Sequence, residues 1–179
     1  VRLDRGVAED GSDCVARPVA PPGHWDVRLL VVHTTTGAKE VGSTGGMERC
    51  RLTSPYYAPW VESSQRDLDD ASTHLAARDL PALGEVMEHS CFKMHASMWA
   101  TRPPLLYWNG VTVEVMREVQ RARADGLMGW ATSDAGPHVK VLCDAATADP
   151  LAARIRQIPG VVAVDASAVG PDPSVEVTQ

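Results

Sequence analysis

The chain has 179 residues, of which 44% are hydrophobic and 22% charged, and its formal net charge is -6. These values are typical of a globular domain and exclude a disordered or fibrous protein. The sequence has neither an apolar run of about 20 residues that would cross a bilayer nor a basic stripe that would neutralise phosphates, so we expect no membrane and no nucleic-acid partner.

The first elements are a peripheral segment, a strand and a short helix. Residues 1–26 are rich in Gly, Pro and Asp and predict edge strands at most. The β-branched run VRLLVVH, residues 27–33, predicts a buried strand. After a polar turn, Ser43 and Thr44 occupy the position of a helix N-cap, and Pro55 marks the end of that helix.

Two longer helical segments follow. The pattern over residues 56–77 predicts one helix, and a stronger one is predicted from about Leu80 to Ala100. Its apolar residues recur at steps of three and four, which is the spacing of a single helical stripe: Leu80, Leu83, Met87, Cys91, Met94 and Met98. We interpret the three methionines as core residues, because Met adapts to irregular gaps.

The last part of the chain alternates between helices and strands. We predict helices at residues 110–123 and 150–158, and strands at residues 126–134, 138–143, 160–170 and 174–179. The first of these helices is amphipathic, with one side formed by Val113, Met116, Val119 and Gln120. The order of elements predicts an α+β fold, an antiparallel sheet with helices packed on one face, without the crossover of a Rossmann site.

The segment VGSTGGM, residues 41–47, combines glycines and hydroxyls just before a predicted helix start. Free backbone N–H groups and the helix dipole at such a position favour an anion such as phosphate. The segment lacks the Gly-Lys-Ser/Thr ending of a nucleotide P-loop and the spacing of a dinucleotide fold. From these residues alone, a capped helix after a flexible turn is the better interpretation.

Asp134 is the first residue of a DAGP turn within TSDAGPHVKVLC, residues 132–143. Asp, Gly and Pro are common turn formers, so the pattern alone favours a structural turn over a catalytic carboxylate. Cys91 and His95 share a face of the predicted helix, but no third ligand is evident, and we expect no metal site. Four cysteines without a Cys-x-x-Cys pair indicate reduced thiols and a cytoplasmic protein.

Six sequence blocks are recognisable together, and their order along the chain is far more specific than any one of them. The blocks are DGSDCVARPVAPPGHW, GSTGGM, TSPYY, ARDLPALGEVMEHSCFKMHASM, RPPLLYWNGVTVEVM and DAGPHVKVL. From about Asp10 to Leu142 the chain resembles the mevalonate diphosphate decarboxylases of the GHMP kinase superfamily. The resemblance implies a GHMP-type carboxy-terminal domain with a ferredoxin-like core at residues 23–179. Residues 1–22 would be a remnant of the amino-terminal ATP-binding domain.

The resemblance also implies a function. Enzymes of this family use ATP and Mg²⁺ to convert mevalonate 5-diphosphate to isopentenyl diphosphate, carbon dioxide, ADP and phosphate, and a homodimer is expected. Asp134 would be the catalytic residue that orients or deprotonates the 3-hydroxyl of the substrate, and Ser43, Thr44 and Met47 would bind the substrate. ATP and Mg²⁺ would be bound mainly by the amino-terminal domain, upstream of Val1, so we expect this chain alone to be inactive.

Two residues beside Asp134 depart from the family pattern, and they keep other hypotheses open. His138 stands where the family usually has Asn, and Ser133 stands where a bulkier residue is common. A second hypothesis is therefore a decarboxylase-like module that has lost catalysis and serves dimerisation or ligand binding. A third is a related kinase or decarboxylase that acts on mevalonate or its monophosphate.

Overall fold

The computed structural model describes residues 1–4, 6–37 and 39–171. In this part of the chain the strands and helices are, in order, β1 Arg2–Leu3, β2 Ala16–Arg17, β3 Val27–His33, α1 Ser43–Thr53, α2 Tyr57–Ala77, α3 Leu80–Trp99, α4 Gly110–Ala124, β4 Gly129–Thr132, β5 Val139–Asp144, α5 Ala145–Ile155 and β6 Ala163–Ala168. The strand predicted at residues 174–179 lies outside the described residues. None of the helices that the structure describes has the length and apolar character needed to cross a bilayer.

The main sheet has four antiparallel strands in the order β4-β5-β3-β6. Because side chains alternate across a strand, Leu30 and Val32 of β3 lie on the same face as Val139 and Val141 of β5, and all four are fully buried. Helices α4 and α5 pack on this face and complete the core. The prediction of an α+β fold, an antiparallel sheet with helices on one face, is confirmed.

The segment at residues 1–22 contributes a small separate sheet. Strand β1 pairs with β2, and the Arg2 guanidinium forms an ion pair of 2.8 Å with Asp69 of α2. The assignment of this segment to another domain stays a prediction.

Helices α2 and α3 form a hairpin whose turn follows from the residues ARDL. Arg78 adopts a left-handed conformation with φ of 58° and ends α2. The side chain of Asp79 then accepts a hydrogen bond from the backbone N–H of Ala82 at 3.1 Å, which caps α3.

Helix α3 packs closely against the edge strand β4. Gly84 lies directly over the indole of Trp130, and a Cβ atom added at Gly84 would be 2.2 Å from the ring. Met98 is fully buried, but Met87 and Met94 are half-buried and line a cavity. The helix was predicted correctly. The interpretation of its methionines as core residues is right for Met98, holds in part for the half-buried Met94, which packs against the core, and is wrong for Met87.

Helix α4 is rotated relative to its predicted orientation. It begins with a reciprocal cap, in which Thr112 N–H donates to Asn109 Oδ1 at 2.8 Å and Asn109 N–H donates to Thr112 Oγ1 at 3.2 Å. Its buried side consists of Thr112, Val115, Met116, Val119 and Ala122. Val113 is 43% exposed and Gln120 is also exposed, so their assignment to the packed side was wrong. Thr112, a polar residue, lies on the buried side of α4 because its side chain takes part in the cap.

Helix α5 begins earlier than predicted. The side chain of Asp144 accepts a hydrogen bond from the N–H of Thr147 at 2.7 Å, and the helix starts at Ala145. Pro150, the first residue of the predicted helix, lies inside the helix on its exposed side.

Candidate active site

Asp134 lies in the loop that joins β4 to β5. Its side chain is 76% exposed, and its Oδ1 atom accepts a hydrogen bond from the Lys140 Nζ atom at 2.7 Å. Lys140 belongs to β5, directly opposite Thr132 of β4, and its side chain is only 24% exposed. The loop therefore presents a carboxylate to solvent, and the ammonium of a mostly buried lysine side chain from the adjoining strand holds one of its oxygens.

The backbone of this loop is fixed by hydrogen bonds within it. The N–H of Gly136 donates to the carbonyl oxygen of Asp134 at 2.7 Å. The buried Ser133 hydroxyl lies 3.0 Å from the carbonyl oxygens of both Gly136 and His138, and the Ser133 N–H donates to Cys91 Sγ at 3.2 Å. Ser133, which departs from the family pattern, thus anchors the loop to α3.

His138 ties the end of the loop to β3. The backbone N–H of Thr34 donates to His138 Nδ1 at 3.2 Å, so the neutral ring carries its proton on Nε2. Burial, with the neighbouring His33 and Lys140, lowers the pKa of His138. The histidine that stands in place of the usual Asn therefore has a structural hydrogen bond of its own.

Lys39 joins the start of α1 to the Asp134 loop. Its Nζ atom donates to Ser43 Oγ at 2.8 Å and to the carbonyl oxygen of Ala135 at 2.9 Å. Helix α1 begins at Ser43 with Gly42 in the N-cap position, so the prediction that Ser43 or Thr44 caps the helix was wrong. Because neither hydroxyl is used in a cap, both lie exposed in the first turn.

The next turn of α1 faces the interior of the domain. Met47 is half-buried and packs against the hydrophobic core. A Cβ atom added at Gly46 would be 2.4 Å from Tyr107 Oη, so glycine allows the helix to approach that ring closely. The structure thus brings Ser43 to the Asp134 loop through Lys39 and leaves Met47 against the core; the substrate-binding roles of Ser43, Thr44 and Met47 stay predictions.

The charges around Asp134 favour its ionised form. Partial burial opposes ionisation, but the hydrogen bond and charge of Lys140, with the charge of Lys39, outweigh that effect and lower the pKa of Asp134. Sequence reasoning missed both lysines. Lys140 carried a signal, because it is a charged residue between the apolar Val139 and Val141 of a predicted strand, whereas Lys39 lies in a polar turn without a pattern.

Asp134 and Lys140 line a cavity of about 960 Å³. The remaining wall is mostly apolar and includes residues of α2, α3 and β5, among them Trp60, Leu68, Leu83, Met87, Met94 and Leu142. Its volume falls within the range of about 300–1,000 Å³ that is typical of small-molecule sites. A mostly apolar cavity lined by a few polar groups is the usual arrangement for orienting a small ligand.

Cys91 and His95, the candidate metal pair, support the same loop. Cys91 Sγ lies 3.4 Å from the carbonyl oxygen of Ser133, and His95 Nε2 lies 3.1 Å from that oxygen and 3.1 Å from Trp108 Nε1. Burial lowers the pKa of His95, so the ring is neutral. Within residues 1–4, 6–37 and 39–171, no group of three or more His, Cys, Asp or Glu side chains is placed to hold a metal ion.

The comparison with protein families identifies the domain. The family described as the mevalonate 5-diphosphate decarboxylase C-terminal domain matches residues 29–172. The chain belongs to this family. The match includes Asp134, Lys140 and the whole of α1.

Curated proteins similar to this chain are diphosphomevalonate decarboxylases. Diphosphomevalonate decarboxylase of Homo sapiens is 30% identical over 146 residues, which are 79% of this chain and 36% of the human protein. The enzyme of Aspergillus fumigatus is 29% identical over 160 residues, which are 87% of this chain and 39% of that protein. This decarboxylase domain therefore spans less than half of the length of these curated relatives.

Solved structures share the fold of the decarboxylase domain. Mevalonate pyrophosphate decarboxylase from Streptococcus pyogenes has a TM-score of 0.78 and 28% identity, covering 87% of this chain and 48% of that one. A complex described as MDDEF with MVAPP, AMPPCP and magnesium has a TM-score of 0.77 and 29% identity, covering 85% of this chain and 47% of that one.

Proposed function

We propose that the full-length protein containing this decarboxylase domain converts mevalonate 5-diphosphate and ATP to isopentenyl diphosphate, carbon dioxide, ADP and phosphate. The observation that carries the proposal is the carboxylate of Asp134, which is hydrogen-bonded to Lys140 and lines a cavity, in a chain that belongs to the decarboxylase family. Because the chain spans less than half of its relatives, the activity is proposed for the full-length protein.

In this proposal Asp134 is the catalytic residue, and it orients and deprotonates the 3-hydroxyl of the substrate. The carboxylate accepts a hydrogen bond from the hydroxyl and directs its oxygen toward the γ-phosphorus of ATP. As the new oxygen–phosphorus bond forms, the bond from that phosphorus to ADP breaks, and the hydroxyl proton passes to Asp134. The lowered pKa makes the carboxylate a weak base. Phosphoryl transfer tolerates a weak base, because its loose transition state depends mainly on positioning.

The second half of the reaction needs no further acid or base from the chain. The 3-phosphate leaves with the electrons of its carbon–oxygen bond, and the bond to the carboxyl carbon breaks and supplies the electrons of the new double bond. Carbon dioxide is thereby released. A site that excludes water favours this step, because a charged carboxylate becomes a neutral gas.

We propose that Ser43, Thr44 and Met47 contact the substrate. The exposed hydroxyls of Ser43 and Thr44 lie in the first turn of α1, where unpaired N–H groups attract anionic oxygens. The ammonium of Lys39 adds positive charge beside Ser43. The half-buried Met47 follows one turn later and supplies an apolar contact.

ATP and Mg²⁺ are proposed as co-substrate and metal of the full-length protein. The solved complex with AMPPCP and magnesium supports this proposal. Within the residues that the structure describes, no group of three or more His, Cys, Asp or Glu side chains forms a cage for the ion, and Mg²⁺ is usually held by one or two carboxylates together with the phosphates of its nucleotide. We propose that ATP and Mg²⁺ are bound mainly by the amino-terminal domain, and that this chain alone is inactive.

A homodimer in the cytoplasm is also proposed. The dimer is proposed from the resemblance to the family, and Leu52, 65% exposed, and Leu106, 67% exposed, are large apolar side chains that a partner subunit would cover. Support for a reducing compartment comes from the cysteines, all four of which are free thiols. Light scattering of the full-length protein should give twice the mass of one chain. A monomer at micromolar concentration would contradict the dimer.

The reaction is tested by following every product. The full-length protein is incubated with ATP, Mg²⁺ and mevalonate 5-diphosphate that is radiolabelled at the carboxyl carbon. We expect equal amounts of carbon dioxide, ADP and phosphate, and no carbon dioxide without ATP. A phosphorylated product that retains the label would identify a kinase instead. Substrate binding without turnover would favour the non-catalytic module. Mevalonate and its monophosphate are the comparison substrates.

A further inference from the structure

We propose that Lys140 is a positioning residue for the reaction. Its ammonium holds Oδ1 of the Asp134 carboxylate and so leaves Oδ2 directed at the substrate hydroxyl. The catalytic consequence of this inference rests on the proposed function, whereas the hold of Lys140 on Asp134 can be tested without any substrate.

The placement of Lys140 makes it a rigid partner. It lies in β5, which has a hydrogen-bonded strand on each side, and it is paired with Thr132 of β4 and Val31 of β3. Its side chain is 24% exposed, against 76% for Asp134. Because most of the Lys140 side chain is packed against neighbouring residues, its ammonium is held at the exposed carboxylate and limits the rotation of that group.

The other charged or titratable groups that face the carboxylate do not take this place. Lys39 donates its hydrogen bonds to the Ser43 hydroxyl and to a carbonyl oxygen of the loop. His95 and His138 are neutral rings, because burial lowers the pKa of each. Among the residues that the structure describes, Lys140 is therefore the cation that hydrogen-bonds the catalytic carboxylate.

The test in the full-length protein compares Lys140→Met with Lys140→Arg. An error of about 1 Å in the position of a reacting group can cost about 10²-fold in rate, so we expect Lys140→Met to lower kcat by about 10-fold to 100-fold. KM for mevalonate 5-diphosphate should change by less than about 3-fold, because the lysine contacts Asp134 rather than the substrate. Arginine, which keeps the charge, should restore most of the rate.

The pH profile separates positioning from a structural role. Without the cation that lowers it, the pKa of Asp134 rises, so the acidic limb of the kcat profile should move to higher pH in Lys140→Met. The control is Arg123→Met. Arg123 is 25% exposed and pairs with Glu88 at 3.0 Å, and neither residue lines the cavity. This control should lose stability in a thermal melt while kcat and its pH profile stay unchanged.

Carbon NMR of this 179-residue chain tests the pair without turnover. The Asp134 carboxyl signal is assigned by its loss in Asp134→Asn, and it should titrate at lower pH in the parent than in Lys140→Met. An equal titration in both would overturn the proposal, and so would full turnover in the full-length Lys140→Met variant. If the full-length parent releases no isopentenyl diphosphate, the proposed function fails, and the titration alone decides whether Lys140 holds Asp134.

Discussion

The contact between Gly84 and Trp130 predicts that Gly84→Ala destabilises the domain. Gly84 lies in the interior of α3, and an added Cβ would be 2.2 Å from the Cγ and Cδ2 atoms of the indole. Carbon atoms in contact need about 3.5 Å, so the helix or the ring must move by about 1 Å. Trp130 is 2% exposed, and the Arg123 guanidinium lies 5.1 Å from its ring, so the indole has little room to rotate.

The size of the effect follows from two opposing contributions. Overpacking of a filled core costs about 1–3 kcal/mol, and a contact this short calls for the upper end of that range. Replacing Gly by Ala inside a helix gains about 1 kcal/mol. We therefore expect the free energy of unfolding to fall by about 2 kcal/mol, which lowers the melting temperature by about 4–8 °C for a domain of this size.

Thermal unfolding followed by circular dichroism measures this effect. The matched control is Gly45→Ala in α1, where an added Cβ meets no atom within 4 Å. Because the control gains helix propensity without a clash, its melting temperature should equal or exceed that of the parent. If Gly84→Ala melts within about 1 °C of the parent, the close packing of α3 on Trp130 does not limit this site, and the reasoning is refuted.

Three further predictions concern stability and reactivity. Glu88 forms an ion pair with Arg123 at 3.0 Å, and Glu88→Gln removes its charge. We expect the free energy of unfolding, measured in urea, to fall by about 1–3 kcal/mol, and a change below about 0.5 kcal/mol would argue against the pair. Burial raises the pKa of Cys143 to about 11, so the native protein at pH 8 should react with a maleimide at the exposed Cys14 and not at Cys143, and equal labelling would contradict the buried position. Burial lowers the pKa of His95, so the unfolded chain binds more protons and stability should fall as the pH drops below about 6.5; His95→Gln should flatten this dependence, and an unchanged slope would refute it.

Local sequence patterns correctly predicted the helices and strands in which apolar residues recur at a regular spacing. The apolar stripe of α3 and the β-branched run of β3 each gave the correct element, because burial on one side requires that spacing. The errors came at single residues with two possible roles. Thr112 serves as cap and core together, and Gly42 takes the N-cap position although Ser43 is the better capping residue. Such choices are decided by tertiary contacts.

The candidate site was predicted from the sequence only in part. The pattern around Asp134 favoured a turn, and the prediction of a catalytic role came from the resemblance to the decarboxylase family. The partner Lys140 is only six residues away, yet strand register had to be known before the two could be paired. Lys39 contacts the loop across 96 residues of sequence, and no local pattern carries that information.

The most direct test of the account is the rate of the full-length Asp134→Asn variant. Asn keeps the turn geometry and removes the charge. We predict that kcat for release of isopentenyl diphosphate falls by about 10²-fold to 10⁴-fold, while substrate affinity and the melting temperature stay close to those of the parent. The control is Asp165→Asn, which changes a carboxylate of similar exposure, 71%, on β6. A variant of Asp134 that melts like the parent and retains more than about a tenth of its turnover would contradict a catalytic carboxylate at this position.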